Sequence, residues 1–152
     1  AGKGKQYGKI QINDGKTVYG SMKKFWGVRE ITCYDPGNEA FNVLPDGPFD
    51  GVICTDVLEH CPEQDMDWIL HEIFSRATKF VYCTVALYPA GKVLPNGENA
   101  HCTLNPVPWW QEVFTDVAVH YPGLPYTVSC EPCSRTKGDD PANIPIVFQG
   151  KV

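Results

Sequence analysis

Three side chains able to move protons or hold a metal ion, Asp56, Glu59 and His60, directly follow the short apolar run Gly51-Val52-Ile53-Cys54. A carboxylate beside an imidazole can orient an acceptor and exchange a proton near neutral pH, which is general acid–base chemistry. A second imidazole, His101, stands in Asn99-Ala100-His101-Cys102. Asp56, Glu59, His60 and His101 together have the donor types of a hard-to-borderline metal site. Acid–base work without a metal is the reading carried forward. The plainer alternative is that Asp56 and His60 only satisfy a strand end and a helix start.

The elements that must position these groups follow from periodicity. Gly51 to Cys54 is too short and too apolar for an amphipathic helix and reads as a strand buried on both faces. Open α/β sheets bind ligands beyond the carboxyl ends of their strands, where Asp56, Glu59 and His60 fall. Pro62-Glu63-Gln64-Asp65 is an acidic helix start, and Met66, Ile69, Leu70, Ile73 and Phe74 then recur at helical spacing. Phe80 to Leu87 reads as the next buried strand, and residues 88 to 105 as a long Pro/Gly/Asn loop of the kind that carries function. Val107 to His120 reads as a second helix, with Trp110, Val113, Phe114 and Val117 on one side and Trp109 beside them. Tyr126 to Cys130 and Ile144 to Phe148 close the chain as two strands that need no crossover helix if antiparallel.

The amino-terminal third is less regular. Lys9-Ile10-Gln11-Ile12 alternates, and Asn13-Asp14-Gly15 is a turn signal. Thr17 to Trp26 has the spacing of a short helix stopped by Gly27, and Glu30 to Tyr34 reads as a strand ended by Asp35-Pro36-Gly37. The stretch from Asp35 to Asp50 contains Pro45 and Pro48 and no sustained period, so it is expected to be an irregular connection. Strand, helix, strand, helix, strand predicts a single three-layer α/β domain over residues 1–152, with a mostly parallel sheet and an antiparallel carboxyl-terminal strand.

Composition narrows the function classes. The chain has 152 residues, is 43% hydrophobic and carries a net charge of −5, which gives no basic footprint for nucleic acid. A local cluster of Lys3, Lys5 and Lys9 is diluted by glycine and polar residues and reads as a solvated face. The apolar run from Phe80 to Tyr88 is far below the ~18 residues of a membrane span. Seven cysteines, an odd number scattered through expected strands (Cys33, Cys54, Cys83, Cys130) and loops, suit a reducing cytoplasm. Cys130-x-x-Cys133 has a zinc-like spacing but no second pair to complete four ligands.

Phe49-Asp50-Gly51-Val52-Ile53-Cys54-Thr55-Asp56-Val57-Leu58-Glu59-His60 resembles the post-strand motif of Rossmann-like, class I S-adenosylmethionine-dependent methyltransferases. The order that follows (helix, strand, Pro/Gly loop, His101, helix) is similar to that family as far as about Phe114. The resemblance implies that Gly2 and Gly4 end a glycine motif under the methionine part of S-adenosylmethionine. It also implies that Asp35 holds the ribose and that Asp56 lines the passage between cofactor and substrate. Glu59, His60 and His101 would orient or deprotonate a hydroxyl or amine of a small polar acceptor. The sequence opens as though cut inside the glycine motif, so the family's first strand is expected to be missing, and its third strand shortened away. A homodimer or rearrangement would then cover the unpaired edges. Two alternatives stand beside this reading. One is a non-catalytic binding or assembly module. The other is a relative of the metal-dependent small-RNA 2′-O-methyltransferases, which carry Glu-x-x-Glu-His and a later His where this chain has Asp56 in first position.

Overall fold

The computed structural model describes residues 10–11, 17–18, 22–133 and 144–151. The chain divides into two compact units, Ala1–Asp46 and Gly47–Val152.

In the first unit, β1 (Ile10–Gln11) pairs antiparallel with β2 (Thr17–Val18). The helix expected over Thr17–Trp26 is correspondingly shorter: α1 spans Met22–Trp26. Gly27 stops it with φ +66°. The Val28 N–H reaches the Lys23 carbonyl at 3.2 Å and the Gly27 N–H reaches Lys24 at 3.3 Å, the paired closure that a left-handed glycine permits. The strand expected at Glu30–Tyr34 does not form; the segment is irregular, and Cys33 is accordingly not in a strand. Its β-propensity was real, but a strand exists only when another supplies a ladder, and among the described residues none pairs with it. Residues 35–48 are irregular, as expected.

The second unit carries the sheet. Its strands are β3 (Phe49–Thr55), β4 (Ala77–Ala86), β5 (Tyr126–Glu131) and β6 (Ile146–Gly150), in that spatial order. β3 and β5 both run parallel to β4, and β6 is antiparallel to β5. Helices α2 (Met66–Ser75) and α3 (Val107–Ala118) make the two crossovers. This is an open, mostly parallel α/β sheet with an antiparallel last pair.

Side-chain alternation decides which face the helices take. Val81, Cys83 and Val85 of β4 and Tyr126, Val128 and Cys130 of β5 point one way and are buried. Against them lie Met66, Leu70 and Phe74 of α2 and Trp110, Phe114 and Val117 of α3, spaced as one helical stripe each. Each such large side chain contributes about 1.5–3 kcal/mol by leaving water. The Phe74 and Phe114 rings lie 6.3 Å apart, so both helices share this face. The Trp109-Trp110 pair reads as core: Trp110 is fully buried, and its indole N–H donates to the Asn105 carbonyl at 3.1 Å. On the opposite face Ile53 and Phe80 are 40% and 42% exposed. The strand expected to be buried on both faces is therefore not: β3 is the edge strand of the described sheet and none of its residues is buried.

Two glycines sit beneath aromatic rings across a strand pair. A Cβ on Gly51 would stand 2.2 Å from the ring of its partner Phe80, and one on Gly150 would stand 2.4 Å from the ring of its partner Tyr126. Phe80 is half in solvent and can swing aside; Tyr126 is buried and stacked on Phe114 at 5.8 Å. Gly150→Ala is therefore expected to cost about 1–3 kcal/mol, and Gly51→Ala less, measured by urea unfolding. Equal costs would contradict this packing account.

None of the seven cysteines forms a disulfide among the described residues, and their placement predicts an order of reactivity. Burial pushes the Cys130 thiol up to about 11, and a hydrogen bond with Cys54 together with complete burial raises Cys83 well above the usual range. Cys102 is exposed. At pH 8, iodoacetamide mapping of the folded protein should label Cys102 first. Cys83 and Cys130 should stay protected until unfolding, since the thiolate is the nucleophile.

Candidate active site

The site begins where β3 ends. Thr55 pairs with Thr84, so the carboxyl ends of β3 and β4 stand side by side. Asp56 then takes φ +53°, a left-handed backbone that Asp tolerates better than most residues. Thr84 holds it there. The Asp56 N–H donates to Thr84 Oγ1 at 3.0 Å, and the Thr84 hydroxyl donates back to Asp56 Oδ1 at 3.0 Å. The reversal leads into a 3-10 turn at Leu58–His60, anchored by the fully buried Leu58.

Glu59 is carried into the interior by this turn. It is fully buried, and its Oε1 accepts from the Ala86 N–H at 3.2 Å. Among the described residues its Oε2 has no hydrogen-bond partner. Burial holds the carboxyl above its ordinary range, with the Asp56 carboxylate adding to the rise and His101 opposing it. A raised carboxyl favours the protonated folded protein. Its stabilising contribution is complete below the ordinary carboxylate range and is lost as pH rises through the raised value. For the metal-free protein, Glu59→Gln is thus expected to raise the urea midpoint at pH 8 and to flatten its pH dependence. A lower midpoint for Glu59→Gln would contradict the account.

The second imidazole arrives on the loop between β4 and α3. Thr103 fastens that loop to the 3-10 turn: its N–H donates to the Glu59 carbonyl at 3.1 Å and its hydroxyl to the Cys61 carbonyl at 2.7 Å. His101 and His60 meet edge to face with centroids 4.6 Å apart. His60 Nδ1 lies 2.7 Å from the Ala100 carbonyl, and His101 Nδ1 lies 2.6 Å from the Tyr88 carbonyl. A carbonyl can only accept, so both Nδ1 atoms carry the proton and each neutral ring keeps its lone pair on Nε2. One donor atom from each of Glu59, His60 and His101 falls within 4.8 Å of the others.

The structure thus brings four sequence-expected residues, Asp56, Glu59, His60 and His101, to one sheet edge. Asp35 belongs to the other compact unit, where its Oδ1 accepts from the Gly37 N–H at 3.1 Å in an Asx turn. The strand it was expected to end is not there. Gly2 and Gly4 lie outside the described residues. Thr84, Thr103 and Asn99 escaped the sequence reading. The only available signal was Asn99 standing two residues before His101, which is weak without the loop's path.

These features define an α/β domain with a buried carboxylate and two backbone-anchored imidazoles at the carboxyl edge of parallel strands. Compared with family models, with curated proteins and with solved structures, the chain matches none. No helix among the described residues is long and apolar enough to cross a membrane.

Proposed function

We propose that this chain transfers a methyl group from S-adenosylmethionine to a hydroxyl or amine of a small polar acceptor. The observation that carries the reading is the convergence of His101 with Glu59 and His60 at the carboxyl edge of β3 and β4, the latter two lying within the segment that resembles the methyltransferase motif. Parallel α/β sheets bind ligands at that edge. In the reaction the acceptor lone pair forms a bond to the methyl carbon, the carbon–sulfur bond breaks with its electron pair on sulfur, and S-adenosylhomocysteine leaves. In the metal-free form the acceptor proton would go to an imidazole Nε2, the ring atom that keeps a lone pair. The sulfonium methyl is already electrophilic, so alignment and exclusion of water supply most of the acceleration. Asp56 is the proposed cofactor contact within the second unit; the three-layer form of the fold, a cytoplasmic location and a homodimer belong to the same proposal. Calorimetric titration with S-adenosylhomocysteine tests it, followed by transfer of labelled methyl to hydroxyl and amine acceptors. Absence of heat would leave a binding or assembly module.

One observation favours the metal-dependent form of this reading over the metal-free form expected from sequence. A buried carboxylate oxygen with no partner normally costs about 1–3 kcal/mol or more, and a cation at the cluster would satisfy it. Histidines whose Nδ1–H is fixed on a carbonyl are pre-set to bind metal through Nε2. Two imidazoles and one carboxylate suit Mn²⁺, Fe²⁺, Co²⁺ or Zn²⁺ better than Mg²⁺ or Ca²⁺. Such an ion supplies Lewis acidity that lowers the pKa of a bound acceptor hydroxyl. Spectrophotometric titration with Co²⁺ should show saturable ligand-field bands that Glu59→Ala abolishes; the same bands in Glu59→Ala would refute the site.

A further inference from the structure

We infer that Asn99 is a positioning residue that sets the two imidazoles of the cluster through the backbone. The inference rests on the metal-dependent reading of that cluster, and its test separates the two. Asn99 makes three hydrogen bonds, all to main chain. Its Oδ1 accepts from the Ala90 N–H and the His101 N–H, each at 2.9 Å, and its Nδ2 donates to the Ala90 carbonyl at 2.9 Å. Two donors at one end and a carbonyl at the other fix which way the amide faces.

The consequence comes from what these backbone atoms adjoin. Ala90 lies two residues beyond Tyr88, whose carbonyl holds His101 Nδ1, and Ala100 beside Asn99 supplies the carbonyl that holds His60 Nδ1. Asn99 therefore closes the base of a small arm over residues 90–100. Within the arm, Val93 bridges Asn99, the Ala100 N–H donates to Lys92 O at 3.0 Å, and Gly97 turns the tip with φ +87°. One side chain thereby ties the outgoing strand end, the returning arm and the His101 main chain together. An alanine there would remove all three ties and release the carbonyls that orient both rings. A side chain lacking the donor or the acceptor would keep only part of the clamp.

The tip of the same arm provides an internal control. Asn96 Nδ2 donates to Glu98 Oε2 at 2.7 Å, and Asn96 Oδ1 accepts from the Glu98 N–H at 3.1 Å, so its bonds are local and exposed. Losing them loosens the tip without touching the base.

The experiment is Co²⁺ titration of wild type, Asn99→Ala and Asn96→Ala, with long-range ¹H–¹⁵N imidazole spectra of the metal-free proteins. Asn99→Ala should bind Co²⁺ about 10–100-fold more weakly, the loss usual for a partner behind a metal ligand, and its His101 signals should move from the Nδ1–H form to a tautomer mixture. Asn96→Ala should match wild type within about twofold on the same scale. The inference is overturned if Asn99→Ala binds like wild type with unchanged tautomers, or if Asn96→Ala loses as much. If wild type itself fails to bind Co²⁺, the metal reading falls, and the imidazole spectra still decide the role of Asn99.

Discussion

Exchanging His101 for asparagine is expected to slow the proposed methyl transfer by roughly 10²–10⁴-fold, the range for losing a positioned acid–base group, with stability changed by about 1 kcal/mol or less. Asparagine is the informative replacement because its Nδ2–H can still donate to the Tyr88 carbonyl, as His101 Nδ1 does at 2.6 Å. Only the Nε2 side of the ring is deleted. The loop stays fastened by Thr103 and by the Asn99 clamp, so the fold has no reason to respond. Kinetics and urea unfolding on the same sample make the comparison. Parallel loss of both would reduce His101 to a structural residue. The Co²⁺ titration divides the remaining cases: a general base without metal leaves cobalt binding of His101→Asn like wild type, whereas a ligand does not.

Phe114→Ala should produce the opposite pattern, a stability loss of about 3–5 kcal/mol with no specific effect on whatever fraction stays folded. Phe114 is fully buried, stacked on Tyr126 at an interplanar angle of 19°, and meets Phe148 edge-on at 6.0 Å. It joins α3, β5 and β6, so truncation opens a cavity at the junction of three elements. A domain of this size has about 5–15 kcal/mol in total, so the loss removes a large share of the margin. The urea midpoint should fall with the slope unchanged. A loss below about 1 kcal/mol would mean that the aromatic cluster repacks around the gap.

Much of the second unit was legible from residue order. The stripe Met66, Leu70, Phe74 and the stripe Trp110, Phe114, Val117 are local patterns, and burial of such stripes is what makes α2 and α3 helices. The β3 and β4 runs are apolar between turn residues, and the last two strands proved antiparallel. The first unit was less legible. Glu30–Tyr34 has strand-forming residues without a strand, and Thr17–Val18 joined a strand pair where helical spacing had suggested a turn of helix.

The same division runs through the site. Residue type and spacing alone determined that Asp56, Glu59 and His60 follow a strand, because a short apolar run between turn signals has few other ways to fold; its expected burial on both faces did not follow, because β3 lies at the edge of the described sheet. Tertiary structure decided the rest. The left-handed turn at Asp56 depends on Thr84, a residue on the neighbouring strand. The uncompensated Oε2 of Glu59 depends on how completely the surrounding elements close over it. The tautomers of His60 and His101 depend on two carbonyls reached only when the 88–105 loop folds back on itself. Local sequence sets which conformations a segment prefers. Which polar atoms find partners, and which are left facing one another, is set by segments distant in the chain, because hydrogen bonding is short-ranged and those partners are supplied only by packing.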